Sequence, residues 1–459
     1  MKALRLVNLL IALICAIFLW RVFAAIGLHV PFDPNEGWNA YHAAAAMTGK
    51  PLYPDAGSFI VNNYPPLSFY IVGALGRILG DNIIAGRIIS LLAFPGIAFG
   101  IFVAVRSMRC GRSEALFSAL LFAACLLVTS DYVGMDDPQL LGHAIGIAGF
   151  ILLLREPRNR RSITASALLF TLAGFAKHNL IVQPLAMVLW LLIYDRSAAW
   201  KFIVSGVVFL SLGLLAFRLT YGIDLLTVLN SARVYSFQNL TANLSSWLVW
   251  GAIPIIGLAI LILLRHRDGH VVLCALYALI AIAVGTAFFG GDGVDMNAMF
   301  DADVALALGV GLALNRLPAR NILALVYAAP VALAVWQFSD SEWLERDFWL
   351  HPLKADAEAA NGDIAFLKAK NGPVLCETLS LCYWADKQAE VDVFNVGEQF
   401  ATGARSDKVL TELIDQRYFR TLQFESLSSF ALTPRIREAV VRNYRVDHTN
   451  DDGVFLISR

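Results

Sequence analysis

Asp33-Pro-Asn-Glu36-Gly-Trp-Asn-Ala-Tyr41 stands directly after an apolar run over residues 4–30. It places two carboxylates three residues apart at the point where that run ends. An ionised side chain that faces lipid is costly, so acidic residues at a bilayer boundary normally face water or a polar site. The stretch therefore predicts a polar site where the first membrane-spanning helix leaves the bilayer.

The composition places the chain in a membrane. Of its 459 residues, 58% are hydrophobic and 16% are charged, and apolar runs recur to about residue 338. Most of these runs are long enough to span hydrocarbon, so we expect a polytopic α-helical membrane protein. Lys and Arg together number 36, as do Asp and Glu. This balance gives no overall polybasic character and no reason to expect a nucleic-acid partner.

Eleven apolar runs have the length and composition of membrane spans. They cover residues 5–28, 83–105, 114–130, 138–154, 162–176, 180–194, 201–220, 247–264, 270–289, 302–314 and 321–338. A further run, 65–80, is ambiguous. Counting it as a span would place Arg106, Arg109 and Arg112 outside, against the positive-inside rule. We therefore expect this run to lie along the outer surface.

With eleven spans, the basic residues of five loops share the cytoplasmic side with Lys2 and Arg5. These loops carry Arg106/Arg109/Arg112, Arg155/Arg158/Arg160/Arg161, Arg196/Lys201, Arg265/Arg267 and Arg316/Arg320. The N-terminus is then cytoplasmic, and the odd number of spans puts the tail outside. The first run is long and lacks an obvious small-residue cleavage site, so we expect a retained helix and not a signal peptide.

The tail differs in composition from the rest, which predicts two domains, 1–338 and 339–459. The pattern of the second favours a small α/β domain, with helices over 356–370, 407–416 and 434–443 and strands over 374–376, 390–394 and 454–457. Cys376 and Cys382 could form a disulfide if this domain is extracytoplasmic. Two unpaired thiols in its core are the alternative.

Asp33 and Glu36 are the candidate catalytic residues. A carboxylate within hydrogen-bond reach of an attacking hydroxyl can act as its general base, and a neighbouring carboxylate can bind substrate or metal. Asp33 followed by Pro34 also has the pattern of a helix N-cap. The position at the membrane boundary favours function over capping alone.

A second acidic group, Asp136-Asp137-Pro138, is expected on the same side. Asp136 and Asp137 are candidates to bind an acceptor or a metal. Asp33 and Asp137 together are candidate ligands of a divalent cation, Mg²⁺ or Mn²⁺. Again the alternative is capping, because Asp before Pro is typical of a helix start.

Three cationic or ionisable residues are candidates to bind a lipid phosphate. Lys177 and His178 interrupt two apolar runs at their outer ends, and Arg233 lies in an outer loop beside aromatic residues. An ammonium or guanidinium group offsets the charge of a phosphate. Snorkelling of Lys177 to the interface is the alternative.

His42, Tyr64 and Asn297 are candidates to line a substrate groove. Tyr64 opens Tyr64-Pro-Pro-Leu67, in which two prolines fix the backbone at the start of the surface helix. His42 follows Trp38 by one helical turn, and Asn297 lies in the outer loop after residue 290. An aromatic belt at the interface is the alternative for the surface helix.

Three of these motifs together resemble the GT-C glycosyltransferases. They are the acids directly after the first span, the Tyr64-Pro-Pro-Leu67 surface helix and the acidic loop after the third span. The likeness covers roughly residues 1–340 and is greatest to bacterial members related to protein mannosyltransferases, the aminoarabinose transferase of lipid A and the rhizobial lipopolysaccharide core transferases. That family commonly has adjacent Asp-Glu. Here Asn35 precedes Glu36 and the aspartate is Asp33, so which carboxylate is the base stays open.

The resemblance implies a bacterial inner-membrane enzyme with a polyprenyl-phosphate-linked sugar as donor and a glycan, lipid or protein as acceptor. It implies inverting transfer on the extracytoplasmic face, with the first-loop acid as base. A membrane transporter or lipid flippase is the alternative function, since polar residues in a helical bundle can line a pathway. Acids clustered at one interface and the lack of a visible repeat favour the enzyme. A glycan polymerase or ligase and a membrane scaffold are further alternatives.

Overall fold

The computed structural model describes residues 2–338, 353–428 and 431–459 of the chain. The first of these ranges is mostly helical. Its α-helices are α1 Lys2–Ala25, α2 Pro34–Thr48, α3 Leu67–Leu79, α4 Asn82–Ser107, α5 Arg112–Thr129, α6 Pro138–Arg155, α7 Arg160–Ala176, α8 Val182–Tyr194, α9 Arg196–Tyr221, α10 Leu225–Leu229, α11 Phe237–Arg265, α12 Gly269–Phe288, α13 Phe300–Arg316 and α14 Arg320–Phe338. A 3₁₀ turn, Met296–Met299, leads into α13.

Among the described residues, eight helices are long and apolar enough to cross a membrane: α1, α4, α5, α6, α9, α11, α12 and, with its 3₁₀ turn, α13. All eleven predicted spans are helical, but α7, α8 and α14 fall outside this group. The α8 helix has 13 residues and rises only about 20 Å, against about 30 Å of hydrocarbon. The predicted polytopic helical architecture is confirmed, with fewer full-length spans than the sequence indicated.

The α3 helix corresponds to the run that was ambiguous in the sequence. It has 13 residues and is therefore as short as α8, and it packs against α2, α4 and α7. Its start at Leu67 follows the two prolines, and it ends at Gly80, which has the left-handed backbone typical of a helix C-terminus. The run is helical, as predicted, and its position along the outer surface stays a prediction.

The basic loops contact one another at one end of the bundle. Arg316 pairs with Asp268 at 2.6 Å and donates a hydrogen bond to the Met108 carbonyl at 3.1 Å. Arg320 pairs with Glu114 at 2.7 Å. These residues belong to three of the five loops, so the arginines of those three loops lie at the same end of the bundle, as expected.

The described residues from 353 onward form a small α/β unit. Its elements are α15 Lys354–Ala369, β1 Val374–Cys376, α16 Leu379–Trp384, α17 Val393–Ala401, α18 Lys408–Asp415, β2 Thr421–Phe424, α19 Pro434–Asn443, β3 Tyr444–Asn450 and β4 Gly453–Ser458. The strand order is β1-β2-β4-β3, with β1 parallel to β2 and the other pairs antiparallel. Cys376 and Cys382 form a disulfide.

The sequence predicted this unit in part. The three predicted helices and the strands β1 and β4 are present, whereas β2, β3 and α16 were not foreseen. The strand predicted over 390–394 is wrong. Val391, Val393 and Val396 do face the core, but Asp392 caps a helix there by accepting a hydrogen bond from the Asn395 backbone N–H at 3.1 Å.

The α/β unit packs on α2, the helix that carries Glu36. The α16 helix comes so close to α2 that a Cβ on Gly37 would lie 2.1 Å from the Ser380 backbone nitrogen. A second attachment is made by Arg405, which donates to the carbonyls of Gly57 and Ser58 at 2.6 Å each. Glycine at position 37 therefore permits the close approach of the two helices.

Replacing Gly37 by Ala is expected to lower the melting temperature of the purified protein by several degrees. The added methyl group would meet backbone atoms of α16, which cannot turn away as a flexible side chain can, and overpacking costs about 1–3 kcal/mol. Gly206→Ala is the matched control, since Gly206 is also helical but has nothing within 4 Å of an added Cβ. Equal melting temperatures for the two variants would contradict the close contact.

Candidate active site

A buried ion pair lies at the end of the bundle opposite the arginine-rich loops. Arg87 and Glu36 are both 0% exposed, and the guanidinium binds the carboxylate through two contacts, Nε to Oε1 at 2.7 Å and Nη2 to Oε2 at 2.6 Å. This bidentate geometry is the strongest form of such a pair. Arg87 was not among the predicted site residues. It is the only charged residue within the apolar run 83–105, and that signal could have identified it.

The ion pair fixes the backbone on both sides of it. Arg87 donates to the carbonyls of Leu28 and Val30 at 2.7 and 2.6 Å, where the chain leaves α1. Glu36 in turn accepts from the backbone N–H groups of Phe32 at 3.0 Å and Asp136 at 3.1 Å. Both carboxylate oxygens of Glu36 are thus used within the protein, and the first and second acidic groups are held together.

Asp33 has a different environment from Glu36. It caps α2 by accepting a hydrogen bond from the Asn35 N–H to Oδ1 at 2.7 Å, so the capping alternative is real. The other oxygen, Oδ2, has no hydrogen-bond partner among the described residues, and the side chain is only partly buried. Burial raises the pKa of Asp33 to about 6, and the charges of Asp137 and Glu36 act in the same direction.

The two acids of the second group have separate surroundings. Asp136 is buried against Gly86, and burial raises the pKa of its carboxyl well above the usual range. Asp137 caps α6 through the Gln139 N–H at 2.7 Å and pairs with Lys177, with Nζ 3.1 Å from Oδ2. Asp136 therefore does not face an acceptor, and Asp137 is partnered inside the protein.

Lys177 is a buried ammonium group between Asp137 and Tyr64. Its Nζ donates to the Tyr64 hydroxyl at 2.7 Å. Burial by itself would lower the pKa of Lys177, but the charge of Asp137 and the contact with Tyr64 raise it above the ordinary value. Lys177 therefore stays protonated, and the negative charge of Asp137 offsets most of its positive charge.

His178 and Arg233 lie beside this pair. Burial, together with the positive charges of Lys177 and Arg233, lowers the pKa of His178 to about 4. The imidazole is therefore neutral at neutral pH and can contribute a hydrogen bond but not a charge. The guanidinium of Arg233 is partly exposed and donates to the Asp292 carbonyl at 3.3 Å. The three predicted phosphate-binding residues are thus brought together.

The remaining predicted groove residues are placed differently from one another. His42 is buried, with its ring 4.4 Å from that of Trp38 and Nε2 3.2 Å from the Val61 carbonyl. It is part of an aromatic cluster and does not line an open groove, which corrects that prediction. Tyr64 and Asn297 are partly exposed, Tyr64 against Lys177 and Asn297 on the 3₁₀ turn.

The side chains expected to bind a divalent cation fit one poorly. The Lys177 ammonium already stands 3.1 Å from Asp137 Oδ2, where a metal ion would compete with a positive charge. Among the described residues, no group of three or more His, Cys, Asp or Glu side chains is arranged to hold a metal ion. The divalent cation therefore stays a prediction from the sequence.

Comparison with known structures confirms the fold. The chain is similar to ArnT from Cupriavidus metallidurans in the apo state and bound to undecaprenyl phosphate, with a TM-score of 0.63, at 14% and 13% identity, over 98% of this chain and 97% of that chain. A weaker likeness to the Archaeoglobus fulgidus oligosaccharyltransferase has a TM-score of 0.49 at 10% identity, over 98% of this chain and 73% of that one. The likeness to the two ArnT structures shows that this chain shares their fold over nearly its whole length.

Two comparisons of the sequence give less information about the chain than the structural comparison does. A family model described as "6-pyruvoyl-tetrahydropterin synthase related domain; membrane protein" matches residues 61–250, which begin before α3 and end within α11. No curated protein matches the chain.

Breaking the buried ion pair is expected to destabilise the protein strongly. Arg87→Met leaves the Glu36 carboxylate buried without its counter-charge, and losing one partner of such a pair costs about 3–5 kcal/mol. The melting temperature and the yield of monodisperse protein should both fall. Adding Glu36→Met to Arg87→Met should restore part of the loss, because no uncompensated charge then stays buried.

The control is Arg158→Met. Arg158 also pairs with a carboxylate, Asp195 at 2.9 Å, but its side chain is 85% exposed, so its removal should change stability by less than about 1 kcal/mol. A melting temperature for Arg87→Met equal to that of Arg158→Met would show that the buried pair does not hold this region.

Proposed function

We propose that this chain is an integral-membrane glycosyltransferase that takes a sugar from a polyprenyl-phosphate-linked donor. The observation that carries the proposal is a row of side chains at one end of the bundle. It runs from the free oxygen of Asp33, past the Asp137–Lys177 pair, to His178 and Arg233. A candidate base and a candidate anion-binding group thus belong to one row of neighbouring side chains. The fold likeness to an ArnT structure bound to undecaprenyl phosphate supports the class of donor.

The row suits an inverting displacement. The acceptor hydroxyl gives its proton to Asp33 while its oxygen forms a bond to the anomeric carbon. The bond between that carbon and the phosphate oxygen breaks on the opposite side, and polyprenyl phosphate leaves with the bonding electrons. Asp33 is the base in preference to Glu36, because both oxygens of Glu36 bind Arg87 and backbone N–H groups.

The leaving phosphate gains negative charge and needs fixed donors around it. Arg233 supplies a positive charge that is not neutralised by an ion pair with any described carboxylate. His178 is neutral near pH 7 and can donate one N–H group to the phosphate. Lys177 lies beside them, but Asp137 offsets its charge, so we assign it the role of holding Tyr64 and Asp137 in place.

We further propose that the site and the α/β unit face the extracytoplasmic side and that the N-terminus is cytoplasmic. The arginine-rich loops meet at the opposite end of the bundle, which the positive-inside rule assigns to the cytoplasm. The Cys376–Cys382 disulfide agrees with an oxidising compartment. Whether the acceptor is a glycan, a lipid or a protein is left open by these contacts.

Asp33→Asn is expected to slow transfer by about 10²–10⁴-fold, the usual contribution of a general base, without loss of donor binding. Mass spectrometry of lipids retained through gentle purification provides the measurement. The native protein should retain chiefly free polyprenyl phosphate, the product, whereas Asp33→Asn should retain the glycosylated donor.

The matched control is Asp55→Asn, which removes an exposed carboxylate from the same first loop and should retain the same lipids as the native protein. Arg233→Ala should retain less of either phosphorylated lipid. Only bulk phospholipid in the native protein and in both variants would count against a lipid-linked donor and favour a transporter or a scaffold.

The rate of transfer is expected to depend on pH through Asp33. With its pKa raised to about 6, the carboxyl is protonated below that pH and cannot accept a proton. We therefore expect kcat/KM to increase about tenfold per pH unit up to about pH 6 and to level off above it. Initial rates measured over that range would show this limb. The limb should be absent in Asp33→Asn, and an unchanged limb in the residual activity of that variant would argue against Asp33 as the base.

A further inference from the structure

The α17 helix of the C-terminal unit contacts the loop that carries Arg233. The Val234 backbone N–H donates to Glu398 Oε2 at 2.6 Å. The Arg233 guanidinium donates through Nη2 to Asn395 Oδ1 at 3.5 Å and lies 5.0 Å from the centre of the Phe394 ring. Two residues of one short helix, Phe394 and Asn395, thus contact the cation proposed to bind the donor phosphate. A third, Glu398, binds the backbone of the next residue in its loop.

The orientation of the Asn395 amide is set from its other side. Its Nδ2 donates to Asp392 Oδ2 at 2.7 Å, and the same oxygen accepts from Trp38 Nε1 at 3.0 Å. Since the NH₂ group is used by Asp392, the carbonyl oxygen is the atom left for Arg233. Asn395 is 7% exposed and Glu398 0%, so neither contact is a mobile surface interaction.

The partners of Arg233 are neutral. It donates to an amide oxygen on Asn395 and to the backbone carbonyl of Asp292, and its guanidinium lies near an aromatic ring. The carboxylate that α17 brings to this loop, Glu398, binds the Val234 N–H instead. Among the described residues the guanidinium is therefore held in place without a direct ion pair, although the charges of Asp392 and Glu398 interact with it at longer range. A cation fixed in this way can bind an anion.

We propose that Asn395 and Glu398 are positioning residues that hold Arg233 for the donor phosphate, so that the C-terminal unit completes the donor site. This inference rests on the proposed function. It assigns the C-terminal unit to donor binding.

The test measures binding of undecaprenyl phosphate to the full-length protein in detergent, with undecaprenol as the phosphate-free probe. Asn395→Ala should weaken binding of undecaprenyl phosphate by about five- to tenfold, as loss of a hydrogen bond to a charged group does, and leave undecaprenol binding unchanged. Glu398→Ala should act in the same direction. Asn395→Asp, which keeps an acceptor oxygen but places a negative charge against Arg233, should also weaken binding of undecaprenyl phosphate and leave undecaprenol binding unchanged.

A double-variant cycle shows whether Asn395 acts through Arg233. If it does, Arg233→Ala with Asn395→Ala should bind no more weakly than Arg233→Ala alone. Arg405→Ala is the control, because it removes the attachment of the same unit to Gly57 and Ser58. It should leave the preference for the phosphate intact.

The outcomes separate the two proposals. If Arg233→Ala loses the preference for undecaprenyl phosphate while Asn395→Ala and Glu398→Ala keep it, the positioning role is wrong and the proposed function stands. Additive losses in the double variant would also overturn the positioning role. If the native protein binds both probes equally, the proposed function fails and this inference fails with it.

Discussion

The Glu36–Arg87 ion pair is the interaction on which the candidate-site end of this bundle depends. Taking two charges out of water costs several kcal/mol each, and their mutual attraction offsets this only when the remaining donors and acceptors are also satisfied. Here they are, because Arg87 donates to two backbone carbonyls after α1 and Glu36 accepts from two backbone N–H groups. The pair therefore connects α1, α2, α4 and the loop before α6 at one point.

This connection explains why two carboxylates three residues apart have opposite properties. Glu36 is buried on the first turn of α2, and both of its carboxylate oxygens bind Arg87 and backbone N–H groups. Asp33, at the cap position, uses one oxygen for the Asn35 N–H and has the other available. Rigid anchoring of Glu36 fixes Asp33, since the backbone between them cannot shift without breaking the buried contacts. Precise placement of a base depends on such support from the surrounding structure.

Local pattern was enough to predict much of this arrangement. The apolar runs gave the helices, the arginine loops gave their common face, and Asp before Pro gave the helix starts at Asp33 and Asp137. What could not be read were pairings between distant residues. Arg87 lies 51 residues from Glu36, Lys177 lies 40 from Asp137, and Asn395 lies 162 from Arg233. Local sequence does not indicate which distant residues pair. Asp137 and Lys177 were therefore assigned to separate ligands, whereas they bind each other.

The distribution of charge at the site follows from these pairings. Two of the three predicted phosphate-binding residues bring little positive charge, since Lys177 is offset by Asp137 and His178 is neutral because it is buried beside two cations. The burial that makes Lys177 a good structural partner is what prevents it from serving as a free cation. A guanidinium is suited to the remaining role, because it stays charged in any protein environment and can be held by neutral acceptors through some of its five N–H groups while others stay available. Arg233 is held in that way, and part of its support comes from a domain that begins more than a hundred residues later in the chain. The transmembrane helices and the C-terminal unit therefore act as one structure at this site, although the change in composition along the sequence suggests two independent domains.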